Sequence, residues 1–203
     1  MIIGEGPGSE EERTGAPFCG RSGRLLEGIL EELNYPRGKA YITNAVCCRS
    51  CVEFEDDGRK RIADQSPSKG ALAACRERLM KQIYIVDPLL IVALGAIALK
   101  ALAGPKAKLA QWLGETISIP VPGLSTKNVE VQTGRKKKVV RKEVVPVTLN
   151  YACLVTYHPS YILRNMSTDD HSADSPMFKL FNHLEKAIDL VNKYESLEGR
   201  RAV

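Results

Sequence analysis

Two short stretches carry the residue types that could do chemistry. Residues 2–8 read Ile-Ile-Gly-Glu-Gly-Pro-Gly, an apolar stub that runs into a Gly/Pro turn bearing one carboxylate, Glu5. Near the other end an apolar run, Ala152 to Val155, is followed by Thr-Tyr and then His158-Pro159-Ser160. Both read as strand-to-loop junctions. In open α/β sheets such junctions line the ligand crevice at the carboxyl ends of the strands. A carboxylate and a histidine meeting there would suit a polar reaction.

The elements that must hold them can be read from periodicity. Leu25, Leu26, Ile29, Leu30 and Leu33 recur at helical spacing, which predicts a helix over 22–33. After the turn Pro36-Arg37-Gly38, Tyr41–Val46 reads as a short strand. Residues 49–68 are polar and charged, with Gly58 and Pro67, and read as a long loop. A helix over 69–86 would turn Leu72, Leu79, Ile83 and Val86 inward. Leu89–Leu94 reads as a buried strand, Gly95 as a turn and 96–103 as an alanine-rich helix. Residues 117–150 read as β structure with a hairpin turn at Thr133-Gly134. Tyr151–Thr156 is the strand that feeds His158. Phe178, Phe181, Leu184, Ile188 and Val191 mark a closing amphipathic helix. Alternating strands and helices predict an α/β fold: a three-layer sandwich with a mainly parallel central sheet flanked by helices. At 203 residues, without a repeat or a linker, one domain is expected over 1–203, with a basic β insertion at about 122–150.

Composition narrows the function. The chain is 44% hydrophobic and 26% charged, as in water-soluble globular proteins. No stretch approaches the ~20 apolar residues of a membrane span, and no secretory signal is seen. The net charge is +5, unevenly placed: six of the eight residues in Arg135–Lys142 are basic, and Arg59, Lys60 and Arg61 form a second cluster. Such runs are either solvated faces or attract a polyanion. Six cysteines without a secretory signal point to a reducing compartment. Cys19 and Cys153 read as small buried hydrophobes, whereas Cys47, Cys48, Cys51 and Cys75 crowd together in the chain.

With these pieces placed, the chain resembles the uracil-DNA glycosylase superfamily, in particular its family-4, iron–sulfur type. The resemblance runs from residue 2 to about residue 190. It rests on ordered blocks: Gly4-Glu5-Gly6-Pro7-Gly8, then Gly15-Ala16-Pro17-Phe18-Cys19-Gly20-Arg21-Ser22-Gly23, then Tyr41-Ile42-Thr43-Asn44 and Cys48-Arg49. Ala74-Cys75-Arg76, Pro88 to Gly95 with Ala98, and His158-Pro159-Ser160 with Leu163-Arg164 complete it.

The resemblance implies an activity and a set of roles. The activity is DNA repair: hydrolysis of the bond between deoxyribose and uracil, leaving an abasic site without strand cleavage. The target nucleotide must leave the duplex and enter a pocket. Phe18 would be the face on which the base stacks, unless it is simply a core residue. Asn44 would read the base edge, since its amide offers both a donor and an acceptor; otherwise it is a strand-end turn residue. Glu5 would be the catalytic carboxylate, orienting water and stabilising positive charge on the sugar. Gly6 would let the backbone approach the base. His158 would donate to the uracil anion or to a neighbouring phosphate. Ser160 and Arg164 would hold DNA phosphates, and one of Tyr161, Ile162 and Leu163 would fill the gap left by the flipped base. Arg135, Lys136, Lys137 and Lys138 in the basic insertion would add DNA affinity or meet a replication protein. The competing readings are a catalytically silent DNA-binding or replication-associated module of the same fold, and a glycosylase for another deaminated base such as hypoxanthine or xanthine.

Three departures matter. Family-4 members carry two cysteines before the Gly-Glu-Gly-Pro-Gly block, which with the equivalents of Cys48 and Cys75 hold a 4Fe–4S cluster. This chain shows only Met1 before its first strand. Four thiolates are wanted, so Cys51 and Cys47 are the local candidates to complete a cluster, or a zinc site; the alternatives are a truncated chain, a misassigned start or a metal-free protein. Second, the segment between Cys48 and Cys75 holds Arg59-Lys60-Arg61-Ile62-Ala63, similar to the basic loop of a branch that captures uracil-DNA covalently through a loop histidine. No histidine lies between 48 and 75 here, so capture is not expected. Third, the 122–150 insertion is extended and basic. A monomer in the cytoplasm or at the nucleoid (the host cytoplasm if viral), not secreted, is expected, with uracil-containing DNA, single- or double-stranded, as partner.

Overall fold

The structure is a computed structural model that describes residues 1–133, 137–165, 172 and 174–198, with the backbone alone at 130–133, 137–139 and 141. Five strands form the central sheet: β1 (Ile2–Gly4), β2 (Ile42–Asn44), β5 (Ile91–Leu94), β6 (Thr116–Thr133) and β7 (Lys137–Thr156). Their order is β2-β1-β5-β7-β6. The first four are mutually parallel, and β6 closes the edge antiparallel to β7. A separate antiparallel hairpin pairs β3 (Cys51–Asp56) with β4 (Arg59–Asp64).

Alternation along the strands splits the core in two, because successive side chains leave opposite faces. Ile3, Ile91 and Ala93 pack with Leu79, Met80 and Ile83 of α3 (Lys69–Val86) and with Leu99 and Leu102 of α4 (Gly95–Ala103). Ile2, Val92 and Leu94 face the other way. They meet Leu26, Ile29 and Leu30 of α2 (Arg21–Glu32), Ile162 of α6 (Pro159–Asn165), and Leu180 and Leu184 of α7 (Pro176–Glu198). This is the three-layer sandwich expected. Two short helices, α1 (Ser9–Thr14) and α5 (Leu109–Trp112), complete the chain.

The chain leaves β1 for β2 on one side and later returns to β5 on the other. That reversal is a topological switch point, where an open α/β sheet forms its ligand crevice. The residues after β1, β2 and β7 are Glu5, Ala45 and Tyr157, with His158 next, so Glu5, Asn44 and His158 are gathered at one end of the sheet.

Four expectations are corrected. Residues 49–68 are not a loop throughout: Cys51–Asp64 is a hairpin turned by Asp57-Gly58, whose φ values of 49° and 70° suit an Asp-Gly hairpin turn. Residues 117–150 and the strand after them are one continuous pair of strands; Gly134 of the expected turn lies outside the described residues. Pro159 does not sit in a loop but opens α6, where its missing N–H costs nothing. Cys153 is buried as expected, but Cys19 is only half-buried and its Sγ lies 3.0 Å from Thr14 Oγ1.

Candidate active site

A crevice of about 540 Å³ opens at the carboxyl ends of the strands, and Glu5, Gly6, Phe18, Asn44, His158, Ser160 and Arg164 all line it. Its main side chains are held by partners remote in sequence.

His158 follows β7 and sits over the turn from β5 to α4. Gly95 there has φ +83°, and a Cβ on it would come 2.9 Å from His158 Cβ, so a side chain at 95 would push the histidine away. The Ser160 backbone N–H donates to Nδ1 at 3.1 Å, and Ser160 Oγ lies 2.8 Å from the same nitrogen. A backbone N–H can only donate, so Nδ1 is an acceptor and the neutral ring carries its proton on Nε2. Burial, reinforced by the Arg164 guanidinium and opposed by Glu11, lowers the imidazole pKa to about 4. The ring is therefore neutral at physiological pH, with one N–H left to offer. The Ser160 hydroxyl faces this imidazole, which makes it a support for the histidine before any contact with phosphate.

Phe18 is 5% exposed and has φ 53°, a strained value for a phenylalanine. The loop is shaped by its neighbours. A Cβ on Gly23 would collide with the Phe18 carbonyl, and Arg37 Nη2 donates to the Pro17 carbonyl at 2.6 Å. The ring lies 5.6 Å from the His158 ring, tilted by 37°. Phe18 thus packs against the α2 side of the core and also lines the crevice.

Asn44 ends β2 with 8% exposure, and its Oδ1 is buried without a hydrogen-bond partner. Its backbone is fixed from α3: Arg78 Nη2 donates to the carbonyls of Asn44, at 2.7 Å, and Ala45, at 3.1 Å. A Cβ on Gly4 would meet Asn44 Oδ1 at 2.5 Å and collide with the Phe18 ring. An unpartnered buried acceptor costs about 1–3 kcal/mol, so this amide is poised for a donor that enters the crevice.

Glu5 is half-buried, and burial raises its carboxyl pKa while the Ser66 hydroxyl and Arg164 oppose the rise. Gly6 packs against the chain just beyond β2, a Cβ on it falling 2.8 Å from Val46 Cγ2, so its small size serves packing as well as access.

Two residues of the site escape a reading by type and spacing. Glu11 of α1 accepts from the backbone N–H groups of Gly8, at 3.1 Å, and Gly20, at 2.8 Å, and so ties together the two loops that carry Glu5 and Phe18. Its signal was the spacing Gly8-x-x-Glu11, a capping-box position. Ser66 reaches the crevice only because the β3–β4 hairpin folds back beside it; Arg49 secures that base to Asp64 at 2.7 Å and to Glu12 at 3.2 Å. Among the three candidates to fill a gap in DNA, Ile162 is fully buried and is excluded. Tyr161 is exposed and stacked on Tyr157 at 5.4 Å.

Of the residues proposed in the basic insertion, Arg135 and Lys136 are outside the described residues, and only the backbone of Lys137 and Lys138 is described. Burial raises the thiol pKa of Cys47; Arg78 opposes the rise, and the neighbouring Cys75 and Cys48 add to it. Cys48 and Cys51 are exposed. Among the described residues no three His, Cys, Asp or Glu side chains converge as a metal needs. Cys47, Cys48, Cys51 and Cys75 thus do not by themselves fit a four-thiolate cluster or a zinc site.

Over residues 1–186 the sequence matches the profile of the uracil DNA glycosylase superfamily. The chain belongs to that family. It is 35% identical over 170 residues to a type-4 uracil-DNA glycosylase of Thermotoga maritima, covering 83% of this chain and 68% of the relative. It is 32% identical over 164 residues to a type-4 uracil-DNA glycosylase of Pyrobaculum aerophilum, covering 81% and 67%. As a member of the uracil DNA glycosylase superfamily, the chain keeps its crevice at the switch point of the sheet. No helix among its described residues is long and apolar enough to cross a membrane.

Proposed function

We propose that this protein is a monofunctional uracil-DNA glycosylase that hydrolyses the N-glycosidic bond of uracil in DNA. The observation that carries the reading is the unpartnered Oδ1 of Asn44, beside the Phe18 ring and in one crevice with Glu5 and a neutral His158. Uracil presents N3–H next to O4 along one edge. Asn44 Oδ1 accepts from N3–H and its Nδ2 donates to O4, while Phe18 covers a face of the ring.

As the C1′–N1 bond breaks, its electron pair passes to the base and delocalises onto O2, and the sugar becomes oxocarbenium-like. His158 Nε2–H donates to that oxygen. A neutral donor suits the task, because the stabilising hydrogen bond forms as charge develops and needs no prior protonation. Glu5, ionised, stabilises the cationic sugar and orients water toward C1′. The water oxygen joins C1′ and sheds one proton, and the uracil anion takes one up, so the products are an abasic sugar and neutral uracil. Among the described residues that line the crevice none is a lysine, in keeping with hydrolysis rather than an amine-linked strand cleavage.

Single-stranded and U:G oligonucleotides incubated with the protein and then heated in alkali should break at uracil, with normal DNA untouched. Extrusion costs a few kcal/mol in a duplex and least for unpaired bases, so the single strand should be the better substrate. Absence of breaks in every uracil substrate would overturn the reading.

A further inference from the structure

All of the chain's excess charge falls in one stretch of its sequence. Residues 122–150 carry seven Lys and Arg against two Glu, a net of +5 that equals the net charge of the whole sequence. The rest of the protein is balanced.

Topology decides where the strands that carry it run. β7 runs parallel to β5 and reaches the crevice at its carboxyl end, where Thr156 pairs with Leu94. Its basic start therefore lies toward the opposite end of the sheet. At about 3.3 Å per residue, Lys137 stands roughly 60 Å of strand before Thr156. The ribbon parts from the body near Gly123, which lies against the Tyr84 ring with a Cβ position 2.8 Å from Cε2. Tyr84 Oη donates to the Leu124 carbonyl at 3.0 Å and anchors the base. Further out, among the described residues, Lys127–Thr133 pairs only with Lys137–Glu143. Lys127, Asn128, Lys142 and Glu143 are all exposed. A duplex with its base in the crevice lies at one end of the molecule, and the outer part of the ribbon extends from the other.

The geometry points to a second nucleic-acid site: the β6–β7 ribbon grips a DNA segment other than the one whose base enters the crevice. This rests on the reading of the crevice as a DNA site. A two-stranded ribbon fits the major groove, about 12 Å wide. Its Lys and Arg side chains would neutralise phosphates and release counterions. The register places Leu124, Val140 and Val144 on one face, 56%, 61% and 65% exposed. Such side chains suit apolar contact with thymine methyl groups. Held by two segments, the protein would stay near DNA when either one is released.

Two variants test this. One carries Lys127, Arg135, Lys136, Lys137, Lys138, Arg141 and Lys142 changed to Gln. The other replaces 127–143 by Asn-Gly, closing the ribbon at the directly opposed pair Thr126 and Val144. Both should excise uracil from a short single-stranded oligonucleotide within about twofold of the parent, since the crevice is untouched. Affinity for a long uracil-free duplex should fall about tenfold or more at low salt. The slope of log affinity against log salt should shrink by about 0.9 for each phosphate that is no longer neutralised. The parent should bring donor- and acceptor-labelled duplexes together in an energy-transfer assay, and neither variant should. Unchanged duplex affinity and bridging would overturn the proposal and leave an acidic protein surface as the ribbon's partner. Excision from the short oligonucleotide falling in step with duplex affinity would overturn it too, placing the ribbon on the DNA at the crevice. If the parent excises no uracil yet bridges duplexes in a way that depends on the ribbon, the proposed function falls and the second site stands.

Discussion

The crevice and the two ribbons are built on opposite plans. In the crevice, polar groups are partly buried and held from afar: His158 over Gly95, Asn44 from Arg78, the Glu5 and Phe18 loops through Glu11. In β3–β4 and the outer part of β6–β7, partners are cross-strand neighbours and most of the described side chains meet water. A change in the crevice should therefore travel, and a change on a ribbon should stay where it is made.

The largest effect should come from Glu5→Ala, with turnover on a single-stranded uracil oligonucleotide falling about 10²–10⁴-fold and binding of an abasic-site oligonucleotide nearly kept. Near-full turnover would remove Glu5 from the chemistry. Gly4→Ala should come next although it adds only a methyl group. It displaces both Phe18 and Asn44, so activity should fall at least about tenfold, with a stability loss of about 1–3 kcal/mol from overpacking. Chemical denaturation beside a turnover assay would check it, and an unaltered enzyme would show that the crevice is looser than described. Asn44→Asp should weaken uracil recognition, since a carboxylate cannot donate to O4. A variant equally active on uracil substrates would sever Asn44 from base reading.

The pH profile sharpens the contrast within the crevice. Glu5 acts ionised and its carboxyl is raised by burial, so activity should fall as pH drops through a value above the usual carboxylate range. His158, lowered from 6.5 to about 4, should leave no inflection near its ordinary value. Between these two values for the imidazole the unfolded chain binds the extra proton, so His158 makes stability decline as pH falls from 6.5 toward 4. His158→Gln should flatten that part of the stability curve, measured by denaturation at a series of pH values. The smallest effect belongs to a ribbon: Arg61→Ala removes an exposed pair with Asp56 at 3.0 Å and should change stability by about 0–1 kcal/mol. A loss well beyond that would mean that the hairpin is coupled to the body.

The same contrast explains what could be read from the sequence. Helices with a full apolar stripe were legible to within a residue or two, as at 22–33 and 69–86, because burial of one face dictates their period. Residues that the structure gathers in the crevice, Glu5, Phe18, Asn44 and His158, could be picked out as well. Glu11 was not, since α1 is six residues long with no apolar stripe, and its value lies in two amides from different loops. The β3–β4 hairpin had a local signal, Asp57-Gly58 between alternating residues, which its high charge obscured. Crowding of Cys47, Cys48, Cys51 and Cys75 along the chain said nothing about convergence in space. The basic run was plain, but its distance from the crevice depends on strand order, which no local pattern holds.

The missing side chain at Gly4 also bears on how this site could acquire a different substrate. Phe18 and Asn44 touch the same point in space, so a longer residue at 44 has no room to retreat, and a bulkier base cannot be admitted by trimming one wall. Room would have to come from the Phe18 loop, yet that loop's carbonyl fills the space above Gly23. A shift of the Phe18 backbone is thus tied to Gly23, and position 23 must stay without a side chain for the loop to keep its place.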